Sequence, residues 1–350
     1  MSTADFAKAL NKKLKADLVL TADQIVIPRR YTTGSVGLDA ILGGGLPGNQ
    51  WTEIIGKASA GKTATVLKMV AANQKEDPDF TTFWVAAEHF DTDQAKALGV
   101  DLSRVTVLRT QVMEVALESL VDALASKEFD CIVLDSYPAL SPDEEVKKAM
   151  DEFTTAMGAR LMNKFTRKAG VAGVRKADGS ERPFVGIIIN QWRDQIGGFS
   201  PMGVPQTTPG GKGKDYFYYC RIDITKGEWL TEKRPGLALP FKVGQVIRFN
   251  TVKNKSATPQ QKTSVDFYFC GAPSLGFKRG DYDTLKELTD MAISLGVIER
   301  AGAYYRFAGQ QWQGKEGLTE ALRADTLLQM SMYRAIMESS GEESFQTMEV

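Results

Sequence analysis

Eight consecutive residues carry the clearest chemistry in the chain: Gly56-Lys57-Ala58-Ser59-Ala60-Gly61-Lys62-Thr63. They fit the pattern G-x-x-x-x-G-K-[ST], a glycine-rich turn whose successive backbone N–H groups converge on one spot. A helix that starts there adds the positive end of its dipole, so the spot suits a polyphosphate. Gly56 and Gly61 let the backbone approach the phosphates. Lys62 can reach the β and γ groups, and the Thr63 hydroxyl can ligate magnesium. The flanks agree: residues 51–55 read as a strand, and residues 64–70, opening on Ala64, as a helix.

Three more polar residues stand where apolar runs stop. Residues 130–135 have an all-apolar middle and end in Asp135, a carboxylate placed to hold magnesium through water. Glu88 follows the strand-like run 83–87 and can orient or deprotonate a water attacking a γ-phosphate. Asn190-Gln191 follows the run 184–189, and the Gln191 amide can hydrogen-bond a γ-phosphate without adding charge. Taken singly, each also reads as a polar residue opening a surface loop.

These positions need a scaffold, and the rest of the pattern supplies one. Runs at 81–86, 105–108, 130–135 and 184–189 read as buried strands, and residues 93–98 and 112–125 as helices. Buried strands alternating with helices make a parallel sheet wound on both faces. Upstream, residues 33–42 read as a capped short helix closed by Gly43-Gly44-Gly45 and Pro47. Residues 4–16 form a helix with Phe6, Leu10 and Leu14 in one stripe, and residues 17–28 a β-rich segment. Periodicity leaves open whether these two cover their own domain or dock on a neighbouring subunit. Residues from about 271 on read as a small α/β domain: helix over 284–295, strand over 304–307, helix over 319–337.

Composition narrows the setting. Lys+Arg 43 balances Asp+Glu 43, so contact with nucleic acid has to come from local patches. Cys131, Cys220 and Cys270 are scattered and His89 is the sole histidine, which suggests neither a disulfide framework nor a zinc site and fits a reducing compartment. No apolar run approaches the roughly 20 residues that span a bilayer, and the first residues lack a signal-peptide pattern. The expected place is inside the cell.

Set in order, the motifs resemble the RecA family of homologous-recombination ATPases. The matching pieces are Thr33-Gly34-Ser35, Leu38-Asp39, Gly44-Gly45-Leu46-Pro47, the phosphate loop, Ala87-Glu88-His89 with Asp91, and Leu134-Asp135-Ser136. They continue with Ile189-Asn190-Gln191, Thr207-Thr208-Pro209-Gly210-Gly211, Val252-Lys253-Asn254-Lys255 and residues 296–305. The resemblance spans about residues 30–310, and its last pieces point to the bacterial and phage branch.

It implies an α/β fold: a RecA-like phosphate-loop NTPase core with a mostly parallel sheet flanked by helices, preceded by a short N-terminal helix and strand and followed by a small α/β domain. The expected division is an oligomerisation segment at 1–30, an ATPase core at 31–270 with two DNA-binding loops, and a C-terminal domain with its tail at 271–350. ATP and Mg2+ are the implied cofactors. The nucleotide set would be Gly56 to Ala64 with Asp91 and Asp135, the metal being held by Thr63 and, through water, Asp135. Catalysis would rest on Glu88, Lys62 and Gln191, with Lys253 and Lys255 reaching the ATP of the adjacent subunit; on sequence alone those two lysines read as a solvated strand edge.

Two loops, after Asp135 and after Gln191, would face DNA. The first leads into Arg160, Lys164, Arg167 and Lys168, which share one basic face at helical spacing. The second, over 197–214, offers Phe199 and Met202 as wedges between bases and Gly210, Gly211 and Lys212 for phosphates. Where family members often stack an aromatic on adenine, this sequence has Gln94. The implied function is a DNA-dependent ATPase that forms a helical filament on single-stranded DNA, pairs it with a homologous duplex and exchanges strands, in the cytoplasm of a bacterium or a phage-infected cell. Two other functions use the same residues: a ring-forming motor ATPase of the same fold, and an ATP-gated coat on single-stranded DNA with little hydrolysis.

Overall fold

The computed structural model describes residues 1–15, 19–148, 157–176, 179–194 and 205–346, with side chains to 340. The chain opens with α1 (Thr3–Leu14) and a 3-10 turn at Ala22–Gln24; β1 (Arg30–Tyr31) then pairs with β2 (Leu46–Pro47) around α2 (Val36–Ile41). The core runs β3 (Gln50–Gly56), α3 (Lys62–Glu76), β4 (Thr82–Ala86), α4 (Thr92–Ala97), β5 (Val105–Arg109), α5 (Met113–Ser126) and β6 (Cys131–Asp135). It continues through α6 (Asp143–Lys147), α7 (Met157–Ala172), β7 (Val185–Ile189), a two-residue pair β8 (Arg193–Asp194) and β9 (Gln206–Thr207), and α8 (Lys214–Phe217). Three antiparallel strands close it: β10 (Cys220–Glu232), β11 (Phe241–Asn254) and β12 (Lys262–Tyr268).

The eight-stranded sheet has the order β12-β11-β10-β3-β7-β6-β4-β5. Every neighbouring pair from β10 to β5 is parallel; β10–β11 and β11–β12 are antiparallel. Strand alternation builds two cores from one run of apolar residues. Along β7, Val185, Ile187 and Ile189 pack with Val66, Met69 and Val70 of α3, whereas Ile188 faces the opposite layer with Leu120 and Leu124 of α5 and Phe165 of α7. Cys131 and Val133 against Ile132 and Leu134 do the same in β6. Helices thus cover both faces, and the carboxyl ends of the parallel strands remain open.

A smaller lobe follows: α9 (Thr284–Ser294), a sheet of β13 (Glu299–Ala301), β14 (Tyr304–Phe307) and β15 (Gln310–Gln313), then α10 (Gly314–Ala324) and α11 (Thr326–Gln346). It packs its own core, Leu288, Ile298, Leu318, Leu322 and Met332 among it, against Ala40 of α2. Buried Glu287 joins the lobes, accepting hydrogen bonds from the N–H groups of Val36 (3.0 Å) and Gly37 (3.1 Å) and from the Ser35 hydroxyl.

Two expectations need correction. The β-rich segment at 17–28 holds no strand among its described residues; Ile25, Val26 and Ile27 are exposed, because strand-forming side chains make a strand only where a partner backbone runs alongside. The helix expected over 319–337 is two helices. Asp325 takes extended backbone between them and its carboxylate accepts from the N–H groups of Leu327 (2.9 Å) and Leu328 (3.1 Å), starting a new helix. The stripe on α1 is only partly covered, with Phe6 53% and Leu14 50% exposed. No described helix is long and apolar enough to cross a membrane.

Candidate nucleotide site and nucleic-acid interface

The open carboxyl ends of β3, β4, β6 and β7 meet at a cavity of about 510 Å³. Its wall brings together Lys62, Thr63, Glu88, Gln94, Asp135 and Gln191, of which Glu88, Asp135 and Gln191 follow or end parallel strands. The glycines of the loop answer to local demands. A side chain at Gly56 would meet the Ile224 carbonyl of β10 at 2.5 Å, and Gly61 caps α3 with φ 96, a left-handed backbone that favours glycine.

Lys62 is buried, with its Nζ donating to the carbonyls of Gly56 (3.2 Å) and Lys57 (2.9 Å). Burial pulls its ammonium down, while the carboxylates of Glu88 and Asp135 hold it up. The Thr63 hydroxyl donates to Asp135 Oδ2 at 2.8 Å, so the hydroxyl and carboxylate expected to share a cation stand together. Burial pushes the Asp135 carboxyl up to about 6; the Thr63 hydrogen bond opposes the shift, and Glu88 adds to it. A hard cation beside these oxygens would relieve that cost, and both groups have the chemistry magnesium prefers. Thr63, Asp135 and the backbone cradle therefore fit magnesium and a polyphosphate.

Glu88 is exposed at the cavity mouth, and its Oε1 accepts from the Ser136 hydroxyl at 2.5 Å. Sequence reasoning passed over Ser136 as an orienting group, although it directly follows Asp135. Gln191 takes its position from Asn190, whose Oδ1 accepts from the Gln191 N–H at 2.9 Å. The far wall comes from the antiparallel extension, as Ile247 and Phe267; only tertiary pairing brings those strands there. Asp91 stands outside the wall and caps α4, accepting from the N–H groups of Asp93 and Gln94 at 2.9 Å each. Gln94, one turn on, lines the cavity.

Lys253 and Lys255 lie elsewhere. Ile247 touches the cavity, and Lys253 is six residues further along the same strand, roughly 20 Å away at about 3.4 Å per residue. The Lys253 ammonium donates to the Asp215 carbonyl at 2.5 Å, and Lys255 is exposed with its Nζ 5.6 Å from the Tyr219 ring centre.

On α7, Met162, Phe165 and Ala169 face the core, which turns Arg160, Lys164 and Arg167 to solvent. Lys168 is half-buried and paired with Glu118 of α5, so its charge is partly answered within the chain. Gly210 and Gly211 both have left-handed backbone, and Lys212 is exposed beside them. Phe199 and Met202 lie outside the described residues.

The RecA N-terminal domain family matches residues 8–272. The chain is similar to Protein RecA of Chlorobium chlorochromatii (strain CaD3), 35% identical over 311 residues that cover 88% of this chain and 81% of that one. It is 36% identical to Protein RecA of Thermus aquaticus, across 83% of this chain and 79% of that protein. Protein RecA of Saccharopolyspora erythraea is 33% identical across 97% and 94%.

Proposed function

The chain belongs to the RecA family, and we propose that it polymerises on single-stranded DNA with ATP bound between neighbouring copies and exchanges strands with a homologous duplex. It is a recombinase of DNA recombination and repair with ATPase activity. The observation that carries the site assignment is the convergence of Lys62, Thr63, Glu88, Asp135 and Gln191 on one cavity at the carboxyl edge of the sheet.

In this reading the backbone from Gly56 to Ala64 cradles the phosphates of ATP and Lys62 sets its charge against the β and γ groups. Thr63 and, through water, Asp135 would hold magnesium, which would neutralise phosphate charge when bound. Glu88, oriented by Ser136, takes the proton of a water that attacks the γ-phosphorus; the bond to the bridging oxygen of ADP breaks as the new P–O bond forms. Gln191 reads whether the γ-phosphate is present, because ATP and ADP differ by that group alone.

Lys253 and Lys255 act on the ATP of an adjacent copy. Their separation from the chain's own cavity along β11 supports this, since a second copy can bring cations where the first cannot. Residues 1–30 dock that copy through the exposed Phe6, Leu14, Ile25, Val26 and Ile27. The core at 31–270 binds DNA through Arg160, Lys164, Arg167 and Lys168 and through the second loop with Gly210, Gly211 and Lys212; residues 271–350 form the small domain and tail. The setting is the cytoplasm of a bacterial or phage-infected cell.

Electron micrographs of the protein with single-stranded DNA, with and without a non-hydrolysable ATP analogue, test the assembly. Extended helical filaments that need the nucleotide are expected. Closed rings would refute the filament, and filaments without measurable turnover would leave a DNA coat.

A further inference from the structure

We propose that Lys214 is a positioning residue that couples the second loop to the ATP site, through a buried ionic network centred on Glu53. The proposal rests on the reading that the second loop contacts DNA.

Glu53 sits in the middle of β3, three residues before the phosphate loop, and is 0% exposed. A lone carboxylate there would be costly, and its neighbours answer it. Oε2 accepts from Arg221 Nε of β10 at 2.7 Å, and Oε1 accepts from Asn190 Nδ2 at 2.7 Å. The ammonium of Lys214 lies 3.5 Å from Oε1. Lys214 itself is 2% exposed, unlike Lys212 two residues earlier. Its Nζ donates to the Thr208 hydroxyl at 2.5 Å and to Asp215 Oδ1 at 3.0 Å. Arg221 reaches the same two residues, at 3.1 Å and 3.3 Å. Two carboxylates thus meet two cations in one cluster, with the Lys253 ammonium at its edge on the Asp215 carbonyl.

The placement of these groups ties together parts of the chain far apart in sequence. Thr208, Pro209 and Lys214 belong to the return limb of the second loop, Asp215 follows it in α8, and all are held by the cluster. Asn190 joins it to the nucleotide side: its amide nitrogen donates to Glu53 and to the Pro209 carbonyl (3.1 Å), while its oxygen orients the N–H of Gln191. A shift of the return limb must rearrange the contacts of Lys214, and these bear on the strand that carries the phosphate loop and on the residue that sets Gln191. Lys214 is too deeply buried to meet a DNA phosphate and does not line the nucleotide cavity. Its effect is on the link between the two sites.

The full-length protein is compared with K214M, K214R and T208V in three assays: ATP turnover with and without a single-stranded oligonucleotide, binding of a fluorescent ATP analogue, and oligonucleotide binding by anisotropy. K214M is expected to bind both ligands within about threefold of the unaltered protein yet to lose about tenfold of the DNA-stimulated turnover, the scale of a typical coupling. K214R, which keeps the charge, should restore most of it. T208V removes the shared hydroxyl without unbalancing charge, should lose about threefold by the same coupling, and decides the matter if K214M does not fold. Full stimulation in K214M or T208V would overturn the proposal. So would a parallel loss of analogue binding and stimulation, which marks a merely structural role. An unaltered protein with no DNA stimulation would overturn the functional reading, and the proposal with it.

Discussion

Replacing Glu287 with Gln should change how stability responds to alkali, and the size of the change follows from where that carboxyl sits. Burial pushes Glu287 up to about 8 from 4.5, against three hydrogen bonds from Ser35, Val36 and Gly37 that favour the ionised form; Asp39 nearby adds to the rise. The folded chain therefore keeps a proton that the unfolded chain gives up, and raising the pH destabilises the fold. The contribution is complete below about pH 4.5 and gone above about 8. Between pH 6 and 8 it amounts to roughly 2 kcal/mol, a little under the full 1.36 kcal/mol per pH unit because the slope halves as the pH reaches the folded value. Asp39 and Asp135, each pushed up to about 6, give the same sign but have spent their effect below that window. At about 2 °C per kcal/mol for a chain of this size, Tm should drop about 4 °C from pH 6 to 8, and E287Q should lack that drop. Differential scanning calorimetry of both proteins at the two pH values is the measurement. An equal drop in E287Q would refute the assignment of the effect to Glu287.

The other outcomes follow from the site and from the basic face of α7. E88Q should lower DNA-stimulated turnover by about 100-fold or more while ATP-analogue binding stays near that of the unaltered protein, and S136A should lower it by about tenfold, as loss of an orienting partner does; stopped-flow phosphate release reads both. D135N should raise the magnesium needed for half-maximal turnover by about tenfold, measured by titration at fixed ATP. The triple change R160A/K164A/R167A should reduce the log–log salt slope of single-strand binding by about 2, at about 0.7 per phosphate contact, whereas K168A should change it less because Glu118 already answers that charge. K253A/K255A should be inactive alone, yet mixed with E88Q it should recover turnover where its intact Glu88 meets the lysines of the other variant; no recovery at any ratio would place those lysines in their own site.

Local signals were enough for the phosphate loop, since its glycines, lysine and threonine act through their own backbone and a single turn of helix. They were also enough for β4, β6 and β7, where unbroken apolar runs have one stable destination between two layers of helices. Asp135, Glu88 and Gln191 could be picked out because parallel strands deliver their carboxyl ends to one edge, so the end of each run is an address. Other features had no local signature. Residues 17–28 have strand-forming side chains, yet residues 19–28 find no partner strand among the described residues, and Asp325 divides a helix that periodicity alone would continue.

The sequence by itself determined the chemistry at each strand end, because residue type and strand direction are both local properties. What only the tertiary structure decided was which charges face water and which face one another. Lys212 and Lys214 read alike in the chain, yet one is exposed and the other is buried against Glu53, Thr208 and Asp215. Electrostatic free energy depends on distance and burial, and both are set by strands that meet in the sheet only after folding.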